Sequence, residues 1–312
     1  MQRQILRVAL SAVCVVLSLS IGASGFDDVE KPAGKVSAAK KPTKLVPLNK
    51  QGTVLLDKPG NRLVLKTKVV FREGLLEMLC CKKQTKEHES ILAVDSKAYL
   101  VHAGLLALGA KVGKPVQYVP KYVPPTGQKI DIFLQWTDKK GKWHRERAQR
   151  WIRHATRRFH VVKMDKLPDD LTLPKESELR YDKRNKELTW YAKMTDKQRD
   201  ELLKLSKDAG YRKAIRTFYE KGLNREMKAD WVFTGSRYYV DEKTGEKFYQ
   251  AEGGEVICVA NFPTALVDVA VPSSSKGGDN LLFEAFTERI PPRDTEVLIE
   301  LIPVFEKKPR DK

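Results

Sequence analysis

The sequence predicts an α+β fold: a mixed, mainly antiparallel sheet with a few helices and a charged helical insertion. Three observations predict it. β-branched and aliphatic runs separated by turn signals occupy both flanks of the folded region, at 52–81 and 231–303. Few helical periods lie between those flanks, which argues against the strand–helix alternation of a doubly wound fold. A stretch at 163–227 is highly charged and poor in β-branched residues, and its apolar positions recur at helical spacing.

Residues 1–25 read as a secretory signal peptide. The first seven residues are basic through Arg3 and Arg7, Val8 to Ile21 is uncharged and mostly apolar, and Gly22-Ala23-Ser24-Gly25 is a small-residue exit. The apolar run is shorter than the roughly 20 residues a membrane helix needs, and Val13 is too large for the position before a lipidated Cys14. The mature chain is therefore expected outside the cytoplasm, in the periplasm, cell envelope or extracellular space, with no membrane span once the leader is removed. The formal net charge of +18 falls by two with Arg3 and Arg7. In an exported protein that balance points to an anionic envelope polymer or an acidic protein as partner, and away from nucleic acid.

Residues 26–50 are rich in Lys, Ala and Pro and carry no period that could bury a face, so they read as a basic flexible linker. Residues 51–306 then read as one α+β domain interrupted by the helical insertion 163–227. "TVLLD" and "RLVLKTKVVF" flank the turn Lys58-Pro59-Gly60-Asn61 and form a hairpin. Leu75 to Cys81 continues as a strand. Its alternation puts Leu76, Met78 and Cys80 on an apolar face and Cys81 on a mixed, more polar one. Residues 95–110 read as a helix, with Asp95 or Ser96 as cap and Gly109 or Gly113 as stop. Lys129 to Trp136 is a strand. Residues 143–158 are strongly basic, and Ala148, Trp151, Ile152, Ala155 and Phe159 fall on one stripe of an amphipathic helix. Inside the insertion, Thr195-Asp196-Lys197-Gln198 fits a capping box and Gly222 a helix stop. Strands return from Trp231 and close the chain with "EVLIELIPVF".

Several of these pieces, taken together, resemble the YdjY-domain family of bacterial exported proteins: "REGLLEMLCCKKQTKEHESIL", "AYLVHAGLLALGAKVGKPV", "PPTGQKIDI", "WVFTGSRYY" and "VICVANFPTALVDVAVPSSS". They run in the same order over most of residues 52–303. The resemblance assigns a domain and implies no established activity. It adds Ser236 and Asn261, from two of the motifs, to Lys86, His88, Glu89 and Ser90 as candidate ligand-binding residues. The segment at about 160–227 looks like an insertion relative to shorter relatives.

Three chemistries compete for the stretch "CCKKQTKEHESIL". Cys81, His88 and His102 are the candidate metal ligands, soft donors that suit zinc or copper, with Glu89 as a further ligand or an orienting partner. Three mature cysteines, Cys80, Cys81 and Cys258, are too few for a four-cysteine iron–sulfur cluster. Cys80 and Cys258, both in apolar strands, are candidates for a disulfide. A hydrolase or transferase would use Ser90 or Cys81 as nucleophile and His88 or His102 as base, oriented by Glu87 or Glu89, but no nucleophile elbow surrounds Ser90. The third reading is non-catalytic: Lys86, His88 and Glu89 form a polar network in a binding or interaction module of the cell envelope. The sequence favours this reading.

Overall fold

The computed structural model describes residues 45–273 and 281–306. The expected signal peptide 1–25, linker residues 26–44 and the segment 274–280 lie outside the described residues.

Eighteen strands and three α-helices make up the described chain. The strands are β1 (Val46–Pro47), β2 (Val54–Asp57), β3 (Arg62–Val69), β4 (Met78–Lys82), β5 (Ser90–Val94), β6 (Gln128–Thr137), β7 (Trp143–Arg147), β8 (Ile152–His154) and β9 (Phe159–Lys163). After these come β10 (Arg180–Asp182), β11 (Glu187–Tyr191), β12 (Trp231–Phe233), β13 (Tyr238–Val240), β14 (Lys247–Tyr249), β15 (Ile257–Cys258), β16 (Val267–Val269), β17 (Phe283–Ala285) and β18 (Glu296–Pro303). The helices are α1 (Ala98–Ala107), α2 (Asp196–Lys204) and α3 (Ala209–Lys221).

Eight strands close into a barrel in the order β3-β18-β6-β12-β16-β15-β4-β5, and β5 returns to β3 through Thr67↔Val94, Lys68↔Ala93 and Val69↔Leu92. This overturns the α+β expectation: the protein is mainly β, and only α1 among the helices packs on the barrel core. The local patterns named most strands correctly. Closure depends on non-local pairing that leaves no mark in any single segment. Most pairings are antiparallel, but β4–β5 and β15–β16 are parallel.

Cross-strand partners share a face, so the pairing register traces the barrel lining. Leu65 faces Ile299, which faces Leu134; Ile130 faces Trp231, which faces Val269. Val267 links Phe233 to Ile257, and Ile257 continues to Cys80, Leu92 and Val69. All of these are buried in one core, so side chains fill the interior. α1 packs against the same core through Ala98, Val101 and Leu105 and ends at Gly109 (φ +82°), as expected. Its N-cap is Lys97, with no side-chain cap; Asp95 instead pairs with Lys83 at 2.9 Å.

Three further expectations need correction. The stretch 143–158 is not a helix: it forms β7, a short 3₁₀ turn (Ala148–Trp151) and β8. Pairing with β6 overrides its helical period, and Arg145 lies 3.8 Å over the ring of Phe133. The charged insertion is only partly helical. It holds α2 and α3 but also, from residue 159, a sheet of order β10-β11-β9, and these pack around a second core of Leu188, Trp190, Leu202, Tyr211, Ile215 and Phe218. The linker's last residues are folded, since Val46 and Pro47 pair with Leu56 and Leu55. By contrast, the capping box at Thr195 forms with both reciprocal bonds, and Gly222 caps α3.

No helix among the described residues is long and apolar enough to cross a membrane.

The outside of the barrel wall carries a buried ionic network. Glu300 on β18, fully buried, accepts hydrogen bonds from Arg62 and, at 2.8 Å, from Arg145 Nε; Arg62 Nε also donates to Asp57 at 2.9 Å. Four strands are tied by these contacts. Removing one partner of such a network leaves the others uncompensated, at a cost of about 3 kcal/mol or more. Glu300→Ala should therefore lower the urea midpoint of unfolding by that equivalent, with Arg145→Met smaller. A midpoint unchanged by Glu300→Ala would refute this role.

Candidate ligand-binding site

Most of the residues singled out in the sequence lie on or beside two adjacent crossovers on the outer face of the barrel. A parallel strand pair needs a crossover, usually of a dozen or more residues. Here β4 and β5 are joined by only residues 83–89, and β15 and β16 by residues 259–266. The first segment must return to the start of β4, about 13 Å back at 3.3 Å per residue, so it lies against the strand. Backbone bonds fix it there: Glu77 N and Met78 N both donate to Glu89 O at 3.1 Å. The second segment is held beside it, with Val259 N and Ala260 N donating to Glu77 O. Between the crossovers and the wall lies a small sealed cluster of Met78, Cys81, Ala93, Cys258 and Ala265, with Phe262 packed on it.

Lys86 projects from the first crossover into three carboxylates. Its Nζ is 3.3 Å from Glu89, 3.4 Å from Glu255 and 3.5 Å from Glu77, and it lies 4.8 Å over the ring of Phe262. Burial alone would lower the Lys86 pKa, but Glu255, Glu89 and Glu77 outweigh it and raise it. Burial, together with the hydrogen bond and charge of Glu89, pushes Glu77 up to about 7. Glu77 therefore keeps a proton up to near neutral pH.

The next polar residues inward belong to the second crossover and to β16. Asn261 is fully buried; its Nδ2 donates to Val269 O at 2.8 Å and to Asp268 Oδ1 at 3.3 Å, and Tyr122 donates to its Oδ1 at 3.2 Å. Asp268 is fully buried too, and its Oδ2 has no hydrogen-bond partner among the described residues. Burial pushes its carboxyl up to about 8, against the bonds from Asn261, Val269 and Phe262. Asp268 is thus a neutral acid at pH 7.

The candidate metal set does not assemble. Cys81 is fully buried, and burial raises its thiol pKa against hydrogen bonding with Ser90, the Lys86 backbone and Thr85. His88 is at the rim with 77% of its side chain exposed, 3.7 Å from Glu89. His102 is on α1, where Nδ1 lies 2.8 Å from the Tyr249 hydroxyl and its ring packs edge-on against Phe233. Among the described residues no group of His, Cys, Asp or Glu is placed to hold a metal ion. The catalytic alternative also loses its geometry, because Ser90 is buried and donates to Leu92 O at 2.8 Å. Ser236 donates to Thr264 O at 2.6 Å, on the far side of the second crossover. The Cys80–Cys258 disulfide is excluded by register: Cys80 faces Ile257 in the core, Cys258 faces Met78 in the outer cluster, and both thiols are free.

His102 instead positions a groove that sequence reasoning missed. The Tyr249 hydroxyl donates to Gly235 O at 3.0 Å, so it accepts from His102 Nδ1–H. This bond ties the projecting β13–β14 hairpin to α1. Beside that joint, two adjoining cavities of about 470 and 830 Å³ share Lys82, Lys97 and Tyr99. Tyr238, Phe248 and Lys247 come from the hairpin, and Lys50 and Lys83 from the other end. Glu252 pairs with Lys82 at 2.8 Å and Asp95 with Lys83. Lys50, Lys97 and Lys247 have no ion-pair partner among the described residues. Tyr238 and Phe248 are exposed. The available signal was the aromatic cluster "SRYYV…KFYQA" on a short hairpin. Glu77, Glu255 and Asp268 were missed as well, although "LLEML" and "LVDVAV" each set a lone acid in an apolar run.

A family model described as the YdjY domain matches residues 52–165. These residues are a YdjY domain, and the match includes Lys86, His88, Glu89, Ser90 and His102. No curated protein and no solved structure matches the chain. The barrel extends past the match, since β12, β15, β16 and β18 all follow residue 165.

Both Glu77 and Asp268 hold protons in the folded state that the unfolded chain releases near pH 4 to 4.5. Glu77 and Asp268 thus make stability fall as pH rises toward 8; below about pH 6.5 His102, His154 and His160, whose pKa burial lowers, act in the opposite sense, so the net fall belongs to the range above it. The urea midpoint should decrease from pH 6.5 to pH 8.5, and Asp268→Asn should flatten the slope. A wild-type midpoint constant over this range would contradict the assignment.

Proposed function

We propose that the protein is a non-enzymatic binding module of the cell envelope and that its ligand is an acidic polymer, held in the groove between α1 and the β13–β14 hairpin. One observation carries this reading: three lysines without ion-pair partners among the described residues, Lys50, Lys97 and Lys247, share a groove with the exposed rings of Tyr99, Tyr238 and Phe248. Lysines attract spaced anionic groups, and ring faces give flat apolar platforms on which sugar rings stack. The chain's net charge, +18 in full and lower by two without Arg3 and Arg7, adds a long-range field of the same sign. The Lys86 network has a supporting role: it clamps the first crossover, from which Lys83 enters the groove beside Lys82 at the end of β4. Export to the envelope belongs to this proposal and rests on the leader-like residues 1–25.

Binding should be measured by calorimetry with a uronate oligosaccharide and a neutral oligosaccharide of equal length. The uronate should bind and the neutral sugar should not. Its affinity should fall steeply from 0.1 M to 1 M salt, as the Debye length shrinks from about 10 Å to about 3 Å. The double variant Lys97→Glu, Lys247→Glu should lose at least tenfold in affinity with an unchanged circular dichroism spectrum. Equal affinity for the two sugars, or an unaffected double variant, would refute the reading.

A further inference from the structure

A second cationic cavity, of about 400 Å³, lies where the barrel meets the inserted subdomain. Its walls come from β8, the start of β9, the last turn of α3 and the chain that follows it. His154, Arg158, His160, Lys221 and Arg225 supply its polar lining, and among the described residues that line it none is acidic. The backbone fixes this meeting point: His154 N donates to Arg225 O at 2.8 Å and Ala192 N to Arg158 O at 3.0 Å. Lys221 and Arg225 are exposed at the mouth, while His160 is only 5% exposed. The His160 Nε2 has no hydrogen-bond partner among the described residues.

We propose that this cavity binds the phosphoryl group of a small phosphomonoester. The charge arrangement favours a dianion. Lys221 and Arg225, neither in an ion pair among the described residues, stand beside two imidazoles, and a doubly charged group would offset the repulsion between them. Guanidinium groups match phosphate oxygens with paired N–H donors, and a buried imidazole supplies a further donor once protonated. Burial, then Arg158, Lys221 and Arg225, push His160 down to about 4; burial and Arg225 lower His154. A bound dianion reverses the sign of the local field, so both imidazoles take up protons more readily when it is present. The space is several times what a single phosphate fills, given about 30 Å³ per water. Phe159, Val161 and Leu282 line the rest, which suits the organic body of an ester. No covalent step is involved.

The test is calorimetry of the full-length protein with inorganic phosphate, glucose 6-phosphate and glucose. Glucose 6-phosphate should bind one to one, more tightly than phosphate, and glucose should not bind. The imidazole proton and nitrogen resonances of His160 should shift on saturation. Arg225→Ala, at an exposed position, should weaken binding at least tenfold while the fold is retained; His160→Gln provides a second variant at the buried wall. Absence of binding at millimolar glucose 6-phosphate, or binding that Arg225→Ala and His160→Gln leave unchanged, would overturn the site. Phosphate binding as tightly as the ester would overturn the ester assignment. The outcome is independent of the acidic-polymer groove, because the two share no residue.

Discussion

Closure of the barrel at β3 is the constraint on which the rest of the structure depends. One edge of this eight-residue strand pairs with β18 along most of its length. Its other edge is divided: residues 62–65 pair with β2, and residues 67–69 with β5. The handover falls between Leu65 and Thr67. It lets the sheet turn in on itself while β1 and β2 continue as an outer flap. Once the ring is closed, the interior is filled by the side chains of its strands, and every polar function must sit on the outside of the wall or at its ends. The two short parallel crossovers, the hairpin and the inserted subdomain are all such external attachments.

A second pattern unites the outer surface. Glu77, Asp268, Glu284 and Glu300 are each a lone acid in or beside an apolar strand, and each is handled differently. Glu300 is neutralised by two arginines. Glu284 accepts from Arg153 at 2.7 Å and from Thr156, tying β17 to the chain that enters the subdomain. Glu77 shares Lys86 with two other carboxylates and keeps a proton near neutrality. Asp268 meets no cation within ion-pair distance among the described residues and stays neutral. A buried carboxyl has these options only: pair, share or protonate.

Much of the element content was legible in the sequence. The Lys58-Pro59-Gly60-Asn61 turn formed the expected hairpin, with Asn61 at φ +50°, and the Thr195 capping box formed as read. These signals are local, so a short window contains them. The fold class was not legible, because the β3–β5 and β4–β15 pairings join segments whose own patterns fit an open sheet equally well. The 143–158 stretch misled for the opposite reason: its apolar spacing is genuinely helical, and only the neighbouring β6 edge decides against a helix. Of the expected site residues, Lys86 and Glu89 meet directly and Asn261 lies in the adjoining crossover. Cys81, His88 and His102 are separated because a buried strand face, a loop rim and a helix carry them. The groove lysines escaped notice since single lysines in a strongly basic chain carry no positional signal.

The inserted subdomain has one more implication. It owns an apolar centre distinct from the barrel's and leaves and rejoins the parent fold through neighbouring segments, Arg153 bridging to Glu226 across the two entry points. An attachment of that kind can be gained or lost as a module without disturbing the host's strand order. Chains with and without it can share one scaffold while differing in whatever the seam between the two bodies recognises.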